Sequence, residues 1–180
     1  MIDGQKMSKS LGNVISPQQL IDLFGVDGAR YLIARSFPSE NDSDVGIERF
    51  KEKYNADLAN NLGNLVSRIT KLAEGLKIDE IKNNLDQKFV ELIDNCRYDE
   101  AIGLVFEKFV NTSNAKLNEV TPWKLEKDDP KRIEVLNYCV NNLKQAANHL
   151  NSIMPETAQN ILNCFDGEVR PLEKPLFPRI

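Results

Sequence analysis

The chain has 180 residues, enough to bury a hydrophobic core, and its 41% hydrophobic and 28% charged residues are ordinary values for a folded protein. Its net charge of −4 argues against a protein that binds nucleic acid mainly through the phosphates. It allows a protein that recognises exposed bases with polar and aromatic side chains. No apolar run approaches the length needed to span a bilayer, and the polar start MIDGQKMSKS is unlike a secretory signal, so we expect a cytoplasmic protein.

The first element along the chain is the cluster KMSKS at positions 6–10, which is followed by Leu11, Gly12 and Asn13. Lysine ammonium groups and backbone N–H groups on a Ser/Gly-rich loop are suited to binding phosphate. A solvated loop end has the same composition, so the five residues alone leave both interpretations open.

Two short helices are predicted next. Ser16 and Pro17 are typical of an N-cap and a first helical residue, and Gly25 is placed to end the helix that they begin. A second helix begins near Asp27 and includes ARYLIARSF. The turn-rich stretch at 38–46, PSENDSDVG, then predicts the clearest internal boundary.

The remainder of the chain predicts an all-α fold, an antiparallel helical bundle. One long helix over 47–76 carries an apolar stripe, whose members are Phe50, Tyr54, Leu58, Leu62, Leu65 or Val66, Ile69, Leu72 or Ala73, and Leu76. Further helices are predicted over 87–95, 99–120, 130–153 and 156–164, with breaks at Pro122, Pro130 and Pro155. The proline-rich end, GEVRPLEKPLFPRI, predicts an irregular or extended tail against the bundle.

A polar row accompanies the stripe of the long helix. Asn60, Asn64 and Arg68 recur at i, i+4 and i+8, and their amide and guanidinium groups match the donors and acceptors of base edges. A solvated helix face would show the same spacing. Trp123, the only tryptophan, is placed either to pack in the core or to stack on an unpaired base.

Residues for metal binding and nucleophilic catalysis are sparse. His149 is the only histidine, and the cysteines Cys96, Cys139 and Cys164 lie far apart without a CxxC pair. A zinc site, a disulfide framework and a Ser/His/Asp or Cys/His nucleophile are therefore not indicated, and we expect no metal bound by this chain.

Several motifs carry a resemblance to one family. DGQKMSKSLGN resembles the signature loop of class I aminoacyl-tRNA synthetases, and the run over 25–68, which ends in NADLANNLGNLVSR, is similar to the methionyl-tRNA synthetase family. Pro122-Trp123, MPETAQNIL and the closing PLFPRI match that family in the same order. The resemblance covers essentially the whole chain.

The resemblance implies a protein-synthesis enzyme that converts methionine and ATP, bound with magnesium, to methionyl-adenylate and pyrophosphate. The methionyl group then passes from the adenylate to the terminal ribose of tRNA(Met). Lys9 would stabilise the charge on the ATP phosphates, and Lys6, Ser8 and Ser10 would shape the mobile loop. The family also needs a nucleotide-binding α/β domain with a His-x-Gly-His motif, which this sequence lacks. We therefore expect the C-terminal part of the enzyme, unable to activate methionine by itself.

Three regions follow from the same resemblance. Residues 1–15 would be the KMSKS loop at the end of the catalytic domain, 16–46 would be connecting helices that contact the tRNA stem, and 47–180 would be the helical-bundle domain that binds the anticodon.

The anticodon-binding residues of the family match Asn64, Arg68 and Trp123, with Asn60 one turn earlier. Trp123 would stack on one anticodon base, while Asn64 and Arg68 would bind the edges of its neighbours. Arg68 could instead pair with Asp57 or Glu74. In many relatives an aromatic residue stands where this chain has Lys116, which bears on how Trp123 is supported.

Other functions remain open at this point. A class I synthetase for leucine, isoleucine, valine or cysteine would share the loop, and a free-standing tRNA-binding module would share the bundle. A purely structural bundle leaves KMSKS and the polar row unexplained. No interpretation involves DNA or a membrane.

Overall fold

The computed structural model describes residues 1, 4, 6, 8, 14–37, 44–77 and 84–180, and this part of the chain is helical, without strands. Its α-helices are α1 (Pro17–Ser36), α2 (Ile47–Lys53), α3 (Asn64–Leu72), α4 (Gln87–Asp94), α5 (Tyr98–Val105), α6 (Thr112–Val120), α7 (Pro130–Leu150) and α8 (Pro155–Asn163). Wider π-helical turns join α2 to α3 (Tyr54–Gly63, the first π segment) and α5 to α6 (Phe106–Asn111, the second π segment). The all-α prediction is confirmed, while most of the boundary predicted at 38–46 lies outside the described residues.

The start of α1 shows how the sequence sets its first elements. The Ser16 hydroxyl accepts a hydrogen bond from the Gln19 backbone N–H at 3.2 Å, and the Gln19 amide oxygen accepts from the Ser16 N–H at 2.9 Å. This reciprocal pair satisfies two N–H groups that a helix start leaves open. At Gly25, φ is 72° and ψ is 170°, a conformation that glycine adopts without steric cost. α1 is therefore kinked there, and its two halves are the two predicted helices.

The stripe predicted along 47–76 forms the middle of the hydrophobic core. Its fully or nearly fully buried members are Phe50, Tyr54, Leu58, Leu62, Leu65, Val66, Ile69 and Ala73. Burial of each large apolar side chain contributes about 1.5–3 kcal/mol. α3 ends at Leu72, one turn earlier than predicted, because Gly75 takes a left-handed φ of 78° that terminates the helix.

α7 is the central helix of the bundle and packs against α3, α5, α6, α8 and the second π segment. Asp129 caps its start by accepting from the Lys131 N–H at 2.8 Å. It ends at Leu150, before the predicted end at position 153. Met154 precedes Pro155 and has φ −125° and ψ 70°, because a following proline disfavours the helical conformation.

α1 is joined to the bundle by a partly buried hydrogen bond as well as by apolar packing. The Tyr31 side chain is 1% exposed, and its hydroxyl donates to the Asp57 carboxylate at 2.8 Å. Burial and the neighbouring Asp57 charge raise the pKa of Tyr31 well above its ordinary value. The hydroxyl therefore stays protonated and keeps α1 against the first π segment.

Two further contacts attach α1 to the junction of α7 and α8. The Arg30 guanidinium donates to the carbonyls of Ile153 at 2.6 Å and Ser152 at 2.9 Å. The buried Asp27 carboxylate accepts from the Thr157 N–H at 2.6 Å, within the first turn of α8.

The tail after α8 is irregular and lies against the bundle, as predicted. The Phe177 ring packs edge-on against Tyr54, with centroids 5.9 Å apart. A β-carbon at Gly63 would lie 2.9 Å from the Leu58 carbonyl oxygen and 3.3 Å from the Phe177 ring, so glycine is needed for this approach. The last residue, Ile180, exchanges two backbone hydrogen bonds with the Asn55 side chain.

No helix in the described ranges is both long enough and apolar enough to cross a membrane.

Candidate functional site

Arg68 and Trp123 are far apart in the sequence but lie together in the structure. Arg68 is on α3, and Trp123 is on the 3₁₀ turn Pro122–Lys124 that follows α6. The Arg68 guanidinium carbon lies 5.2 Å from the centroid of the Trp123 ring, the geometry of a cation–π contact. Trp123 is 45% exposed, so its ring is not part of the core.

The ion pair considered for Arg68 does not form. The Asp57 carboxylate instead accepts from Tyr31 and lies 3.7 Å from the Lys53 ammonium. None of the ion pairs between described residues includes Arg68 or Glu74. The Arg68 charge is therefore directed at an aromatic ring next to solvent.

Asn64 and Asn60 are both exposed, but the π-helical turns change the row that the sequence predicts. Asn64 is the first residue of α3, one turn before Arg68. Asn60 lies within the first π segment, where each turn contains more residues than in an α-helix, so the i, i+4 spacing no longer aligns it with Asn64.

Asn61, which the α-helical spacing passes over, faces α6. Its amide oxygen accepts from the Asn114 amide at 2.8 Å, and its amide nitrogen donates to the Asn111 oxygen at 3.1 Å. This chain of three amides joins the first π segment to the second π segment and α6. Two adjacent asparagines at 60 and 61 indicate in the sequence that one amide could bond to a neighbouring helix. Only the wider π-helical turn decides that Asn61 is the one that faces α6.

The turn that carries Trp123 begins with a strained residue. Thr121 ends α6 with φ 47° and ψ 56°, a left-handed conformation that is rare for a β-branched side chain. The Thr121 carbonyl accepts from the Lys124 N–H at 2.9 Å, which closes a tight turn around Pro122 and Trp123.

Arg132, the third residue of α7, binds the backbone of the turn that carries Trp123. Its guanidinium donates to the carbonyls of Pro122 at 2.9 Å, Leu125 at 3.1 Å and Leu72 at 3.1 Å. Sequence reasoning missed this residue. The sequence did contain one sign of its role. A positive charge in the first turn of a helix is electrostatically unfavourable, so an arginine there indicates a partner outside the helix.

Lys116 forms its ion pair within α6. It is exposed on α6, and its ammonium pairs with the Glu119 carboxylate at 3.1 Å. The contact that covers the Trp123 ring comes from α3, through Arg68.

Cys139 lies on α7, and its buried thiol donates to the Ser113 carbonyl at 3.8 Å. Burial raises the pKa of the Cys139 thiol to about 11, and the hydrogen bond to Ser113 and the Arg68 charge oppose this only in part. The thiol is therefore protonated at neutral pH and poorly suited to act as a nucleophile.

The KMSKS loop is only partly within the described residues. Lys6 is exposed and Ser8 is half-buried, whereas Lys9 and Ser10 lie outside the described ranges. The beginning of the chain is connected to the residues before α2, because the Gly4 N–H donates to the Asp44 carboxylate at 2.8 Å. The described residues contain no group of three or more His, Cys, Asp or Glu side chains placed to hold a metal ion.

Comparisons with known proteins agree on one family. A family model described as tRNA synthetases class I (M) matches residues 1–70. Methionine–tRNA ligase from Clostridium acetobutylicum is 37% identical, over 93% of this chain and 31% of that protein. The Mycoplasma genitalium enzyme of the same name is 36% identical, over 91% of this chain and 35% of that protein.

The fold agrees with a solved structure as well. Mycobacterium tuberculosis methionyl-tRNA synthetase in complex with methionyl-adenylate superposes with a TM-score of 0.82 and 25% identity, over 99% of this chain and 43% of that chain. The chain spans about a third of the length of the two curated relatives described above.

Proposed function

Because the chain belongs to the methionyl-tRNA synthetase family, we propose that it is the part of such an enzyme that binds the anticodon of tRNA(Met) and carries the KMSKS half of the ATP site. The observation that carries the proposal is the placement of Arg68 over the exposed Trp123 ring, one helical turn from the exposed Asn64.

This arrangement suits single-stranded RNA. An exposed tryptophan ring offers a stacking surface to any base, and stacking on an aromatic side chain contributes about 1–3 kcal/mol per base. The Asn64 amide and the Arg68 guanidinium supply donors and acceptors for the edges of adjacent bases. Asn60, exposed on the first π segment, adds a further amide that is not aligned with Asn64. A splayed anticodon loop presents such bases, and its recognition needs few phosphate contacts, which fits the net charge of −4.

The catalytic contribution in this proposal belongs to the loop at positions 6–10. Lys9 stabilises the negative charge of the ATP phosphates as methionyl-adenylate forms, and Lys6, Ser8 and Ser10 shape the loop around them. In the longer enzyme, this loop and a nucleotide-binding domain together bind methionine and ATP with its magnesium ion. The enzyme acts in the cytoplasm. Residues 1–15, 16–46 and 47–180 are then the catalytic loop, the stem-contacting connection and the anticodon-binding domain.

The fluorescence of Trp123 provides the test, since it is the only tryptophan. The chain is titrated at low and moderate salt with an anticodon stem-loop that bears CAU, and with the same stem-loop carrying a changed anticodon. We expect CAU alone to quench the emission at both salt concentrations. Equal responses to both RNAs that disappear with salt would indicate non-specific phosphate contact and contradict the proposal.

A matched pair of variants tests the base-edge contact. Asn64→Ala should weaken CAU binding by about 10- to 100-fold, the range for loss of a paired contact to a base. Asn141→Ala, at an exposed asparagine of α7, should change binding by less than about twofold. Equal effects of the two variants would remove Asn64 from the site.

A further inference from the structure

Arg132 occupies a position that its local sequence does not favour. It is the third residue of α7, after the cap Asp129 and Pro130. A positive charge there opposes the helix dipole, and a glutamate or glutamine is the residue typical of this position. An arginine at such a position indicates that contacts outside α7 offset the local cost.

Those contacts are three backbone carbonyls from two other elements. The Pro122 and Leu125 carbonyls, on either side of Trp123, accept from one guanidinium nitrogen at 2.9 and 3.1 Å. The other terminal nitrogen donates to the carbonyl of Leu72, the last residue of α3, at 3.1 Å. The last carbonyls of a helix have no partner within the helix, so Arg132 also satisfies a group that α3 leaves open.

The Arg132 guanidinium therefore connects the turn that carries Trp123 to the helix that carries Arg68. The turn needs such a connection, because Thr121 enters it in a strained left-handed conformation. The 5.2 Å separation between the Arg68 guanidinium and the Trp123 ring depends on how the turn lies against α3.

We propose that Arg132 is a positioning residue for anticodon discrimination, which fixes the stacking ring of Trp123 relative to the base-reading side chains of α3. This inference rests on the proposed function and adds a residue that touches no RNA. A site that loosens by a fraction of an ångström retains stacking, which tolerates any base, but loses the alignment of hydrogen bonds on which the choice of base depends. Lysine cannot replace arginine here, because one ammonium lacks the planar fork that reaches both elements.

The test compares Arg132→Lys with Arg30→Lys in the 180-residue chain. Arg30, on α1, is the matched control. Its guanidinium also donates to two backbone carbonyls, those of Ile153 and Ser152, which lie at the junction of α7 and α8 away from Trp123 in the sequence. Each variant is measured for urea unfolding, for Trp123 emission and acrylamide quenching without RNA, and for the ratio of its dissociation constants for the CAU and changed stem-loops.

We expect Arg132→Lys to shift Trp123 emission to longer wavelength, to make the ring more accessible to acrylamide, and to lower the discrimination ratio about tenfold. A tenfold change is the size expected when one well-placed hydrogen bond to a base edge is lost. Arg30→Lys should be destabilised to a similar degree but retain the emission and the ratio of the unmodified chain.

The outcomes separate this inference from the proposed function. If the unmodified chain does not discriminate between the two RNAs, the proposed function fails, and the inference that Arg132 serves discrimination is overturned with it, whatever the free-chain emission shows. If the unmodified chain discriminates and Arg132→Lys retains both its ratio and its emission, Arg132 is not a positioning residue. Equal losses of discrimination in both variants would assign the effect to general stability and also overturn the inference.

Discussion

Thr121 is the residue under most backbone strain beside the candidate site. Its φ of 47° places a β-branched side chain in the left-handed region, and it also precedes a proline. A left-handed conformation costs an ordinary residue about 1–2 kcal/mol. The strain is maintained because the turn is held on both sides, by the C-terminus of α6 and by the hydrogen bonds from Arg132.

Thr121→Gly should therefore raise the free energy of unfolding by about 1 kcal/mol, since glycine adopts this conformation without a steric penalty. Urea unfolding at neutral pH measures the change. The control is Thr112→Gly, which places glycine in the first turn of α6 and should destabilise the chain. A loss of stability in Thr121→Gly would show that Thr121 is not strained.

At the scale of elements, α8 depends on α1 for its N-terminal cap. Met154, at the cap position, makes no side-chain hydrogen bond to the first turn. The Asp27 carboxylate of α1 takes the place of a cap side chain, because it accepts a hydrogen bond from the Thr157 N–H at 2.6 Å. A carboxylate at a helix N-terminus is also favoured by the helix dipole, so one buried group stabilises α8 and its contact with α1 together.

Asp27→Ala should lower the free energy of unfolding by about 1–2 kcal/mol, the usual cost of removing an N-cap acceptor. Asp22→Ala is the matched control, because Asp22 is exposed on α1 and its hydrogen bond comes from Gln18 within the same helix. We expect that control to change stability by less than about 0.5 kcal/mol. Equal losses in the two variants would exclude the capping role.

At the scale of the whole molecule, buried tyrosines make the fold sensitive to alkali. Burial raises the pKa of both Tyr31 and Tyr54 above the ordinary value of 10.0, and the Asp57 charge adds to the effect at Tyr31. The unfolded chain therefore loses these protons at lower pH than the folded chain. Their contribution to stability is complete below about pH 10 and is lost progressively as the pH rises further.

The free energy of unfolding should fall above pH 10 by up to about 1.4 kcal/mol per pH unit for each such tyrosine. Tyr31→Phe should reduce this slope while lowering stability at neutral pH, because its hydrogen bond to Asp57 is lost. Tyr138→Phe, at an exposed tyrosine of α7, should behave as the unmodified chain. Urea unfolding between pH 8 and about pH 11 measures both effects; an unchanged slope in Tyr31→Phe would contradict the assignment.

Much of the fold follows from the sequence by itself. The apolar stripe from Phe50 to Ala73 predicts the buried face of the long helix, because side chains three and four residues apart share one side of a helix. Ser16, Gly25 and Pro155 predict helix boundaries through local backbone preferences that need no distant partner. The sequence also singles out the chemical groups of the candidate site, Asn64, Arg68 and Trp123.

The tertiary structure alone decides how those groups meet. Periodicity assigns a face to each helix but does not say which faces touch, so the contact between Arg68 and Trp123 requires the packed bundle. The π-helical turns, which direct Asn61 rather than Asn60 toward α6, arise where two helices pack together and have no marker in the spacing of the sequence. Arg132 acts through carbonyls distant along the chain, and every residue except proline offers the same backbone groups, so no sequence pattern could identify its partners.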